Sequence, residues 1–112
     1  MGALSSTTPA RTGTTTSGAA VSASDTVSRD ILGTNGAYLE VINGGGSPDT
    51  VAISDASTTA TGAPATAGGG SVTNGTSKIF KILPLQADPT TGQVTVTHSF
   101  TTSVTYKLYP LG

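Results

Sequence analysis

The segment QVTVTHSFTTSVTYKLY, residues 93 to 109, alternates apolar and polar residues over most of its length. Successive side chains of a strand point to opposite faces, so Val94, Val96, His98 and Phe100 share one side and Thr95, Thr97 and Ser99 the other. Val104, Tyr106 and Leu108 repeat the pattern against Thr105, Lys107 and Tyr109. A helix would place apolar residues at every third or fourth position, and that period is missing along the chain. Short β-branched runs punctuated by Gly, Pro, Asn and Asp continue from Val21 onward. The expectation is an all-β fold, a small antiparallel β-sandwich or β-barrel of about six to seven strands, with an extended N-terminal arm.

Individual strands follow from the same alternation. AAVSASDTV is the first candidate, and SRDILGTNG reads as a connection that ends in the turn pair Asn35-Gly36. In AYLEVIN, Leu39 and Val41 oppose Tyr38, Glu40 and Ile42; in TVAIS, Val51 and Ile53 oppose Thr50, Ala52 and Ser54. Residues 36 to 55 therefore read as a hairpin around the run Gly44-Gly45-Gly46. SKIFKILPL resumes the sheet without a clear inward face, and Pro84 marks an edge or a strand end. DPTTG, residues 88 to 92, has Pro89 and Gly92 where a tight turn wants them, and the four residues FTTS are expected to close a second hairpin.

Residues 1 to 20 are rich in Thr, Ser, Gly and Ala, and after the initial Met1 the one large apolar side chain is Leu4. Such a segment buries too little surface to offset its own ordering entropy, and it reads as an arm, either a flexible terminus or an extended strand that orders against a neighbouring subunit. Leu4, Pro9 and Arg11 are its candidate partner-binding residues. Residues 21 to 112 are assigned to a single β domain, and 55 to 70, which lack any large apolar residue, to an exposed loop.

Composition narrows the function. Leu, Ile, Val and Phe make up only about a fifth of the 112 residues, so the core is thin and an assembly that covers further surface is expected. A formal net charge of −1 and the scattered Arg11, Arg29, Lys78, Lys81 and Lys107 argue against nucleic acid, which needs clustered cations. No apolar run approaches membrane-spanning length, and MGALSSTTPARTG has no export-signal core, so a soluble chain is expected. The absence of cysteine excludes disulfides, thiolate metal sites and thiol nucleophiles.

Reactive groups are few. His98 is the single histidine, and its parity with Val94 and Val96 places it at the rim of the core with a hydrogen-bond partner. No GxSxG elbow accompanies any serine. Asp49 and Asp55 flank TVAIS and invite a calcium ion, but neither an EF-hand spacing nor a repeated GGxGxD is present; both are expected to end strands and bond their own backbone. The runs Gly44-Gly45-Gly46 and Gly68-Gly69-Gly70 lack the helix and the Lys-Ser/Thr ending of a phosphate loop, and read as loops that need positive φ or a close backbone approach. No catalytic, cofactor or metal site is assigned.

The order of features, DTVSRDILGTNGAYLEVINGGGSPDTVAISD, then a Gly/Ala/Thr loop, then DPTTGQVTVTHSFTTSVTYKLYPLG, resembles the small capsid decoration proteins encoded beside the major capsid gene in tailed phages of actinobacteria. The resemblance covers most of residues 21 to 109 and transfers no individual functional residue. It implies a non-enzymatic β knob that binds the outer surface of an icosahedral shell, often as a trimer, and stiffens it. The implied partner is the major capsid protein, and the implied location is the outer capsid surface of the virion. Alternative readings are a tail or head-tail joining protein, or a host-surface glycan-binding module, for which the aromatic residues are few.

Overall fold

The computed structural model describes residues 2–15, 18–57, 62 and 68–111. Within them the chain forms two packed sheets. In chain order the strands are β1 (Gly2–Ala3), β2 (Ala19–Ala20), β3 (Ser24–Ser28), β4 (Ala37–Asn43), β5 (Asp49–Ile53), β6 (Gly68–Val72), β7 (Thr76–Ile82), β8 (Gln93–His98) and β9 (Val104–Pro110). Sheet A has the order β1-β3-β8-β5-β6, and sheet B the order β2-β9-β4-β7. This is an all-β sandwich, antiparallel except where β1 runs parallel to β3. Seven strands have five to seven residues; β1 and β2 have two each.

The alternation of the sequence sets the core. Leu39 and Val41 of β4 and Val104 and Leu108 of β9 face Val27 of β3, Val51 and Ile53 of β5, and Val94 and Val96 of β8, all of them buried. Each central strand is paired along both sides: β4 opposes β7 and β9 from Ala37 to Asn43, and β8 opposes β3 and β5. β7 faces inward with Phe80 and Ile82 and ends just before a 3-10 turn at Pro84–Gln86.

Both expected hairpins turn out to be arches. β4 lies in sheet B and β5 in sheet A, so the glycine segment between them carries the chain across the core. The same holds for residues 99 to 103, which connect β8 of sheet A to β9 of sheet B. Among the described strands, consecutive members change sheet at every connection except β5 to β6. Period-two alternation says which side chains face inward; it is the same whether two strands pair through their backbones or face one another across the core.

Three smaller differences have local causes. The connection after β3 holds one helical turn, α1 (Arg29–Leu32), too short to show a helical period; Ser28 caps it by accepting from the Asp30 amide, and Leu32 is buried beneath it. The run Gly68–Gly70 belongs to edge strand β6 and is not a loop. Gly69 has a φ of 115°, and a Cβ there would collide with the Val51 carbonyl of β5, so the strand can bend against its neighbour only with glycine. Of the expected loop at 55 to 70, residues 58–61 and 63–67 lie outside the described residues.

Candidate functional site

At the ends of the two arches three polar side chains are buried: Asn43 at the end of β4, Asp49 at the start of β5 and His98 at the end of β8. Asn43 organises the glycine arch. Its Nδ2 donates to the carbonyls of Ser47 (2.8 Å) and Val72 (3.1 Å), and its Oδ1 accepts from the Gly45 amide (3.0 Å). A Cβ on Gly45 would overlap the Phe100 ring and the Thr102 carbonyl of the other arch. That arch is held in turn by the Gly44 amide donating to the Ser103 carbonyl at 3.0 Å.

Asp49 binds the second arch. Its Oδ1 accepts from the amides of Ser99 (3.0 Å) and Phe100 (3.2 Å), and its Oδ2 lies 2.6 Å from His98 Nδ1. An ionised carboxylate can only accept, so Nδ1 carries the hydrogen of this bond. A carboxylate holding Nδ1 is the orienting half of an acid–histidine pair. Here the side chains of His98 and Asp49 are 1% and 0% exposed, which gives a substrate no approach to the ring. What the pair does is mechanical: it ties β5 to β8 and satisfies the amides at the start of the 99–103 arch.

Asp49 therefore does not bond its own backbone, as its position before TVAIS suggested. Asp55 does, accepting from the Ser57 amide at 2.9 Å. The two carboxylates spend their oxygens on different partners. Among the described residues, no three His, Asp or Glu side chains form a group able to hold a metal ion. The signal for the buried pair was present in the sequence: Asp49 is in phase with Val51 and Ile53, and His98 with Val94 and Val96, which puts an acid and a base on faces that point into one core.

The outer face of sheet B is of a different kind. Register places Lys81, Tyr38 and Tyr109 in one row across β7, β4 and β9, then Ile79, Glu40 and Lys107, then Ser77, Ile42 and Thr105. Tyr38, on the inner strand β4, is 42% exposed and Ile79, on the edge strand β7, 62%, so exposed apolar side chains are interleaved here with charges of both signs, Glu40 lying between Ile79 and Lys107. Leu83 and Leu85, also exposed, follow directly after β7.

The three arm residues are not brought together. Leu4 is 6% exposed and packs into the core of its own chain, whereas Pro9 and Arg11 are exposed. The arm is fastened by its backbone: the Leu4 amide donates to the Thr26 carbonyl (2.8 Å), that of Ser5 to the Tyr106 hydroxyl (2.9 Å) and that of Thr7 to the Leu108 carbonyl (2.7 Å). A cleft of about 320 Å³ is lined by Ser5 and Thr7 of the arm, by Thr15, Gly18 and Ala19, and by the edge of β9. No protein-family model, curated protein or solved structure matches this chain.

Proposed function

We propose that the protein is a non-enzymatic structural component of a bacteriophage virion, a decoration protein that binds the outer surface of the capsid and stabilises it. Its partner is the major capsid protein, and it acts as a trimer. The sequence resemblance suggests this assignment, and the observation that carries it is the outer face of sheet B. Exposed Tyr38, on β4, and Ile79, on the edge strand β7, offer apolar area for a partner to cover, and Lys81, Glu40 and Lys107, interleaved with them, offer charges of both signs for it to pair.

Stabilisation of a shell asks for no reactive group. It asks for a rigid body that binds the assembled state in preference to the free subunits, since such a ligand shifts the equilibrium toward assembly by mass action. Two sheets joined by arches, with a buried Asn43–Asp49–His98 junction, make a body of that kind. Many copies, each held by modest contacts, then act together on one shell.

Quantitative mass spectrometry of purified particles tests the proposal. A copy number close to one per shell subunit, or a simple fraction of it, supports decoration. A handful of copies assigns the chain to the tail or the head-tail joint instead. Absence from particles overturns the capsid reading and favours glycan binding, for which the cross-strand neighbours Tyr38 and Tyr109 are the aromatic platform to test.

A further inference from the structure

We propose that residues 2–7 form an exchangeable arm, which occupies its own slot in an isolated chain and the slot of a second copy in an assembly. The proposal goes beyond the capsid reading and does not depend on it.

The slot is a gap between the two sheets. On one side the arm continues sheet A as β1, with Gly2 and Ala3 opposite Asp25 and Thr26. On the other it continues sheet B, where the free edge of β9 is completed by two unconnected pieces. Val104 and Tyr106 take Val21 and Ala19, while the next position, Leu108, takes Thr7 from the arm. Leu4 fills the space between the sheets. The chain thus leaves the edge of β9 at Thr7 and returns to it at Ala19, after an excursion whose residues 8–15 are all exposed.

Nothing in that geometry requires the piece at Leu108 to come from the same chain. Its fastenings are backbone amides of Gly2, Leu4, Ser5 and Thr7 and one apolar plug, and every copy carries the same set. The slot is already fitted by this segment, and a second copy carries the same segment at the same spacing, so the alternative occupant is the arm of a second copy. Reach permits it: eleven residues from 8 to 18 span about 36 Å when extended, comparable with the 35 Å middle dimension of the molecule. Exchange of this type costs no contacts, because each bond broken in one copy forms in the other. A single chain favours its own slot through effective concentration, and crowding of copies on a surface removes that preference.

The chain has no cysteine, so engineered thiols report the arm's position. Ala3 and Thr26 are register partners at strand spacing, suited to a disulfide. Ala3→Cys and Thr26→Cys are made as separate full-length variants, unfolded, mixed, refolded together over a range of concentrations and oxidised. Neither can close a bond within its own chain. The expected result is a peptide linked 3 to 26, rising with concentration and at least about tenfold above the yield with Thr90→Cys, an exposed control position. Leu4→Ala in the donor should lower it by about tenfold. The double variant Ala3→Cys/Thr26→Cys should close internally when dilute. Internal closure in the double variant with only background linking between the single variants overturns the proposal. So does failure of the double variant to close, since the register itself is then absent.

Discussion

Asp49 Oδ2 lies 2.6 Å from His98 Nδ1, joining the first residue of β5 to the last residue of β8, while Asp49 Oδ1 accepts two amides of the arch that follows. One buried carboxylate thus holds three donors at the place where the chain leaves sheet A for sheet B. Removing the acceptor strands all three, whereas removing the imidazole strands none of the amides.

The two residues should therefore differ in cost. Asp49→Ala leaves buried donors without an acceptor and is expected to lose about 3 to 5 kcal/mol of stability. His98→Ala keeps both amide bonds and should lose about 2 kcal/mol. Asp49→Asn retains an acceptor for the amides and should fall between them. Urea denaturation measures the order, and a larger loss for His98→Ala than for Asp49→Ala would contradict this account of the junction.

Adjacent glycines give a sharper contrast. A Cβ on Gly45 would meet the Phe100 ring and the Thr102 carbonyl, so Gly45→Ala must push the two arches apart, at a cost of about 1 to 3 kcal/mol. A Cβ on Gly46 meets nothing within 4 Å, and Gly46→Ala should be neutral or stabilise by about 0.5 kcal/mol through the unfolded chain. Equal urea midpoints for the two variants would mean that the arches are not in contact.

Legibility in the sequence followed the period of two. Leu39, Val41, Val51, Ile53, Val94, Val96, Val104 and Leu108 all point inward as their alternation indicates, which is why the sandwich class was readable. The pairing of strands was not. Gly44-Gly45-Gly46 and FTTS look like hairpin loops because short connections usually join neighbours, yet each crosses between sheets. What distinguishes an arch is polar: Asn43 and Asp49, at either end of the glycine segment, are both in phase with buried residues, and Asn43 closes that turn inside the core while Asp49 holds the start of the 99–103 arch. Leu4 was visible as an anchor, but a single apolar residue in a Thr-rich arm carries no period to say where it docks.

The arm divides into one residue that matters for stability and two that do not. Leu4→Ala empties a place in the core and should cost about 2 to 3 kcal/mol. Pro9→Ala and Arg11→Ala, both at exposed positions, should stay within about 0.5 kcal/mol of the parent. If Pro9 and Arg11 touch a neighbouring subunit, their substitution lowers occupancy on shells without moving the urea midpoint. Unchanged occupancy in a Pro9→Ala/Arg11→Ala variant would remove these two residues from the contact.

The outer face of sheet B separates folding from binding most cleanly. Tyr38 and Ile79 contribute area to solvent rather than to the core, so Tyr38→Ser and Ile79→Ser should shift stability by no more than about 1 kcal/mol, chiefly through reduced strand propensity. Within an interface the same truncations remove apolar area that the partner would cover, and each is expected to weaken shell binding by about tenfold or more. Lys81→Ala and Lys107→Ala, which remove charge, should act mostly on the salt dependence of binding. Co-sedimentation of each variant with shells stripped of the native protein gives the ranking. If Tyr38→Ser and Ile79→Ser bind like the parent while an arm variant does not, sheet B faces solvent on the particle and the arm carries the contact.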